Sequence, residues 1–282
     1  RQMIRLLAVD MDGTCLNPLS AMTDGTIRAL REAAARGVII VPATGRNLLC
    51  LPHRLADGTI QKANGPDGEK NRGLFRYVIT SNGARVTDIQ SKKTMLRSML
   101  KKETALSVLE DCRDMKLGIA SHIKNRYLIQ GRPFAFMGRV IYGKDAGGVC
   151  CVDDMCRIIR NSRYDVEELQ IYFLSPKAKE EVKRRLDPRK EISAAYTSIY
   201  VEIFSAETSK GHALSILAEE LGINKNEIAC IGDGENDLSM FRAAGLKIAM
   251  GNAVSELKDA ADYVTASNKK DGVAEAVRKW VL

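Results

Sequence analysis

The sequence predicts an α/β protein, a doubly wound parallel sheet with a second α/β unit inserted into it. Short apolar runs rich in β-branched residues alternate with stretches of helical period, as parallel sheets require. The runs also end alike, in carboxylates, hydroxyls and amides, which places polar chemistry along one rim of the sheet. Between residues 85 and 204 the apolar runs lose that ending, so this stretch reads as the insertion and residues 1–84 and 205–282 as the core.

The first run, IRLLAVD (4–10), is almost continuously apolar, as a strand covered on both faces should be. Thr23 then suits the N-cap of a helix that ends near Arg36, with Gly37 at its C′ position. VIIVPAT (38–44) is the second strand and YVITSN (77–82) the third. Between them ADGTIQKANGPDGEKNRG (56–73) reads as a long loop or mobile hairpin, serving as a lid or as an insertion. Inside 85–204, helical patterns near 101–116, 151–161 and 176–186 alternate with strand-like stretches at 117–129, 168–174 and 193–204. The core resumes with helices starting near Ser209 and Glu235, closed by Gly222 and Gly245, and with the strands IACIGD (228–233), LKIAM (246–250) and YVT (263–265).

Composition narrows the functional classes. A chain of 282 residues, 45% hydrophobic and 28% charged, suits an ordinary soluble globular protein. No run of about 18 apolar residues offers a membrane span, and RQMIRLLAVD enters a strand pattern without a signal-peptide pattern, so the expected location is cytoplasmic, with no membrane partner. Seven cysteines with no CxxC suit reduced thiols, and three histidines argue against a transition-metal cluster. The formal charge of +8 accompanies only 5% aromatics and no nucleic-acid signature, so no nucleic-acid partner is expected. Residues 85–204 hold 23 Lys and Arg against 16 Asp and Glu, and the remainder 20 against 19, so the basic excess lies in the insertion. It is either a solvated surface or an attraction for an anionic substrate.

The rim residues specify the chemistry. Side chains two apart on an extended segment point the same way, so Asp10 and Asp12 can converge while Met11 turns aside and Gly13 permits a tight turn. Two close carboxylates repel, and a divalent cation, a lysine or protonation of one of them must offset that. Asp233 ends another strand and opens a second acidic turn containing Asn236 and Asp237; carboxylates with a backbone oxygen suit Mg²⁺. Lys210 enters a helix that should begin at the same rim, where its ammonium could sit between an anionic nucleophile and an anionic substrate. Thr44, Gly45 and Arg46 supply a hydroxyl, backbone N–H groups and a guanidinium that can hold phosphoryl oxygens. Together these parts describe phosphoryl transfer through an aspartyl phosphate. Asp10 attacks phosphorus in line while Asp12 protonates the leaving alcohol; Asp12 then acts as base on the water that releases phosphate.

DMDGT (10–14), ATGR (43–46), SKGHAL (209–214) and GDGENDLSM (232–240) resemble, in order and spacing, the four motifs of the haloacid dehalogenase superfamily. SNGA (81–84) and the tail AMGNAVSELKDAADYVTASNKKDGVAEAV (249–277) look like its Cof-like phosphatases. The resemblance implies a Rossmann-like core with a large α/β cap between the second and third motifs. It implies Asp10 as nucleophile and Asp12 as acid and base. Metal contacts would come from Asp10, the backbone carbonyl of Asp12 and Asp233, with Asp237 in close support. It implies phosphate-holding roles for Thr44 and Lys210, a contact of Asn236 with phosphate or metal-bound water, and a position facing substrate or phosphate for Asn82. Cys15 stands where leucine is commonest in that family and is expected to be a packing residue.

The expected function is a Mg²⁺-dependent phosphatase of small phosphorylated metabolites, foremost sugar or polyol phosphates, with FMN, pyridoxal phosphate or a riboflavin-pathway phosphate as other substrates. A phosphomutase would use the same motifs. A non-catalytic sensor of phosphorylated ligands is disfavoured, because a binding module does not need an acid/base residue such as Asp12.

Overall fold

The computed structural model describes residues 3–48, 51, 74–124, 126–131 and 149–282. The apolar runs form the strands of an eight-stranded sheet, with β1 (Leu6–Asp10) at its centre. Leu6, Leu7, Ala8 and Val9 are fully buried, so β1 is covered on both faces. Each large side chain of that kind contributes about 1.5–3 kcal/mol by leaving water. The helix α1 (Asp24–Ala35) begins where the Thr23 hydroxyl accepts the Thr26 N–H. It ends in a Schellman motif: Gly37, at φ +88°, donates to Ala34 while Val38 donates to Ala33. The chain continues through β2 (Ile39–Ala43) and β3 (Tyr77–Thr80), then β4 (Arg85–Asp88) and β5 (Lys93–Arg97).

The next stretch contains α2 (Lys102–Asp111), β6 (Leu117–Ile123), β7 (Arg126–Gln130), β8 (Val149–Val152), α3 (Met155–Asn161), β9 (Glu168–Phe173), α4 (Pro176–Leu186), β10 (Ile192–Tyr196) and β11 (Tyr200–Ser205). The chain then returns to the first sheet with α5 (Lys210–Glu220), β12 (Ile228–Gly232), α6 (Leu238–Ala243), β13 (Leu246–Ala249), α7 (Ser255–Asp259), β14 (Tyr263–Val264) and α8 (Gly272–Ala276). Strand order in the large sheet is β14-β13-β12-β1-β2-β3-β4-β5. The six strands from β14 to β3 are mutually parallel, and β4 and β5 add antiparallel. Because β2 and β12 flank β1, the order reverses beside Asp10, the switch point where such sheets open a crevice.

Among the described residues one compact unit comprises 3–45, 74–97 and 209–282, and the other 46–48, 51 and the described part of 98–208. Residues 85–97, which the alternation of runs assigns to the insertion, are strands of the first sheet; a tight turn through Ser81–Gly83 returns the chain antiparallel, without a crossover helix to signal it. In the second unit the order is β10-β11-β9-β6-β7-β8. The strand-like stretches 117–129 and 193–204 each hold two strands of a hairpin, and the predicted helix at 151–161 starts only at Met155, because Val149–Val152 pairs with β7. One sheet face packs Leu169, Ile171, Val201 and Ile203 against helix residues such as Val108, Ile159 and Val182. Elsewhere in this sheet the side chain of His122 lies against that of Glu168, Nδ1 to Oε2 3.3 Å, both fully buried. Burial pushes His122 down to about 4 and, with the charge of Glu202, pushes Glu168 well up.

The stretch 56–73 lies outside the described residues. Among the described residues no helix is long and apolar enough to cross a membrane.

Candidate active site

Parallel register delivers the rim residues to one level. Asp10 pairs with Ala43, so Thr44 follows directly beside it; Val9 pairs with Ile231, and Gly232 with Ala249. Asp10 is the last residue of β1 and is 5% exposed. Beyond it the chain folds back tightly: Cys15 N donates to Asp10 O and Leu16 N to Met11 O. Asp12 sits in this turn, exposed. Strand alternation therefore stops at Asp10, and the turn rather than the pleat sets where Asp12 points.

Lys210 is the first residue of α5, whose N-cap Ser209 accepts the His212 N–H at 3.0 Å. Its side chain is fully buried, and Nζ donates to Asp10 Oδ1 at 2.5 Å and to Asp237 Oδ1 at 2.8 Å. Asp237 is fully buried, and its other oxygen accepts the backbone N–H of Asp233 (2.9 Å) and of Gly234 (3.1 Å). Asp237 thus closes the acidic turn that carries Asp233; this turn starts as a short 3-10 segment, Glu235–Asp237, with the predicted helix following only from Leu238. Asp233 accepts the Thr14 hydroxyl on Oδ1 at 2.9 Å. Gly13, at φ +82°, passes so near that a Cβ there would lie 2.2 Å from Asp233 Oδ2, so only glycine fits both the conformation and the space.

Oxygens of Asp10, Asp233 and Asp237 lie within 4.8 Å of one another, and Asp12 is outside this trio. With all three ionised, one ammonium leaves two net negative charges. Burial, and next the charge of Asp237, push Asp10 well above the usual carboxylate range against the pull of Lys210, and Asp233 is raised mainly by burial. Burial alone would lower Lys210, but Asp10 and Asp237 outweigh it and hold the amine charged. The residues fit a hard divalent cation: every donor is an oxygen, and one such ion cancels the excess charge.

The other predicted residues lie around this centre. Thr44 is fully buried; its N–H donates to Ile79 O and its carbonyl accepts the Asn82 N–H at 3.0 Å. Asn82 follows Ser81 in the left-handed region, at φ +50° and +48°, and its Oδ1 accepts Asn236 Nδ2 at 2.9 Å. A Cβ on Gly45 would come within 3.2 Å of the Asn82 amide, so the second, third and fourth rim segments meet here. Strained asparagine backbone of this kind persists where surroundings over-determine it, often at functional sites. Arg46, the next residue along the chain, is buried and is grouped with the second unit. Sequence reasoning gave no role to Thr14 or Asn252, both of which hydrogen-bond Asp233; both stand inside quoted motifs, DMDGT and AMGNA, and that was their signal.

Comparison with known proteins finds relatives along nearly the whole chain. A model of the haloacid dehalogenase-like hydrolases matches residues 7–277. The chain is 29% identical over 280 residues to a 5-amino-6-(5-phospho-D-ribitylamino)uracil phosphatase, YcsE, of Bacillus subtilis, covering 99% of this chain and 96% of that one. It is 28% identical over 280 residues to a phosphoglycolate phosphatase of Methanothermobacter thermautotrophicus, covering 99% of each. A solved haloacid dehalogenase-like hydrolase from B. subtilis superposes with a TM-score of 0.81 at 25% identity, covering 98% of this chain and all of that one. The chain belongs to the haloacid dehalogenase-like hydrolases and is a phosphatase of that family, a hydrolase of phosphate esters.

Proposed function

We propose that the protein is a Mg²⁺-dependent phosphatase of small phosphorylated metabolites, sugar or polyol phosphates foremost, working through a phosphoryl group carried on Asp10. The observation that carries this reading is the buried ammonium of Lys210 bridging Asp10 and Asp237, with Asp233 alongside. The relative from B. subtilis, whose substrate is a phosphorylated ribityl compound, supports a polyol chain as leaving group.

In this reading an oxygen of Asp10 forms a bond to phosphorus as the ester P–O bond breaks in line with it. Asp12, exposed in the turn beyond, gives its proton to the departing alcohol. Asp12 then takes a proton from water, whose oxygen attacks phosphorus as the bond to Asp10 breaks, releasing phosphate. Lys210 balances charge on Asp10 and on the phosphoryl oxygens, and the Thr44 hydroxyl, the Gly45 N–H, Asn82 and Asn236 hold those oxygens. Asp10, Asp233, Asp237 and the Asp12 carbonyl would hold Mg²⁺, which when bound neutralises charge developing on the phosphoryl group.

The test is phosphate release from a panel of phosphorylated metabolites, with and without chelator. Release that stops reversibly on chelation, and that Asp10→Asn abolishes while circular dichroism stays native, is the expected result. Equal turnover by Asp10→Asn would overturn the covalent mechanism, and activity indifferent to a strong chelator would overturn the metal assignment. Phosphate set free, rather than moved within the substrate, separates hydrolysis from a mutase.

A further inference from the structure

Asn252, in the turn after β13, has no part in the reaction above, yet its side chain ties three segments together. Nδ2 donates to the Gly13 carbonyl at 2.9 Å and to Asp233 Oδ2 at 3.2 Å, while Oδ1 accepts the Asn268 N–H at 2.9 Å. The turn after β1, the turn after β12 and the segment beyond β14 therefore meet on one amide. Asn268 extends the tie through its own side chain, which donates to Leu16 O at 2.9 Å. On the opposite side Thr14 donates to Asp233 Oδ1, so each oxygen of Asp233 carries one donor from a different segment. Two donors on two oxygens fix the rotation of the carboxylate plane, which one donor leaves free.

We propose that Asn252 is a positioning residue for the cation, orienting the Asp233 carboxylate and holding the Gly13 turn against it. This rests on the divalent-cation reading of the site. A neutral amide is suited to the task. A lysine there would compete with the cation for Asp233, and an aspartate would add repulsion to a site that already carries excess negative charge. Partners that orient a ligand in this way typically change metal affinity by about 10–100-fold when removed.

The experiment titrates Mn²⁺, an ion that accepts the same oxygen donors, into substrate-free protein and follows loss of the free-ion paramagnetic resonance signal. Wild type, Asn252→Ala and Asn268→Ala are compared. Asn268→Ala removes a side-chain bond from the same cluster without touching Asp233. Asn252 is solvent-exposed, so its truncation is compatible with folding, which melting by circular dichroism confirms for each variant. The expected result is Mn²⁺ binding weaker by about tenfold or more in Asn252→Ala, with Asn268→Ala unchanged. Unchanged binding in Asn252→Ala, or equal weakening in both variants, would overturn the positioning role while leaving the cation site intact. Absence of binding in wild type would instead remove the cation reading, and this inference with it.

Discussion

Replacing Lys210 by methionine isolates the electrostatics of the site. Methionine keeps much of the buried stem but removes the ammonium that donates to Asp10 at 2.5 Å and to Asp237 at 2.8 Å. Taking one partner from a buried ion pair leaves the other charge uncompensated and destabilises by about 3–5 kcal/mol. The loss should depend on pH. Folded Asp10 and Asp233 already hold their protons above the ordinary carboxylate value of 3.8. The folded state therefore binds more protons than the unfolded one in that window, and stability falls as pH rises through it. Without the ammonium both carboxylates move further up, so the stability gap between variant and wild type should widen from pH 5.5 to pH 8. Urea denaturation at the two pH values, with and without Mg²⁺, reads this directly. We expect the full gap at pH 8, a smaller one at pH 5.5 and partial recovery with Mg²⁺. A gap under about 1 kcal/mol that ignores pH, as for an exposed ion pair, would refute the reasoning.

Gly13→Ala forces a Cβ to 2.2 Å from Asp233 Oδ2 at a φ of +82°; displacement of that order should lower kcat by about a hundredfold, measured as phosphate release, and wild-type kcat in the variant would contradict the packing. Cys15 is 3% exposed, and burial, then the charge of Asp10, raises its thiol, so brief iodoacetamide treatment followed by peptide mapping should label the exposed Cys151 and spare Cys15 until denaturant is added. The buried His122 has a pH signature. Burial depresses it from 6.5 to about 4, so between those values the unfolded imidazole holds a proton that the folded one lacks. Its contribution to stability should therefore rise by up to about 1.4 kcal/mol per pH unit from pH 4 to 6.5 and be level above that. Urea titrations of wild type and His122→Gln should show the wild type gaining on the variant across that window, and a difference that ignores pH would contradict it.

The first sheet was legible because six of its strands are apolar runs joined by crossovers, and each announces itself by composition. Arg85–Asp88 and Lys93–Arg97 escaped notice because neither is an apolar run and a tight turn, not a helix, leads into the first of them. The rim residues were legible as motifs, since Asp10, Lys210, Asp233 and Asp237 each follow a strand or open a helix. Spacing alone could not reveal that Asp12 leaves the pleat and becomes exposed, because the turn that carries it is held by Asn252 and packed against Asp233, both distant in the chain. Thr14 stayed silent, and Asn252 was legible only as part of the polar turn Gly251-Asn252 on the same rim, for a related reason: an amide or hydroxyl acquires its role only from the carboxylate that folding places beside it.

The central claim is that Asp10 carries the phosphoryl group, and rapid acid quench with a radiolabelled sugar phosphate tests it most directly. The account predicts label on the peptide that contains Asp10, appearing within the first turnover and decaying as phosphate is released. Steady hydrolysis with no label on that peptide at any time would contradict it.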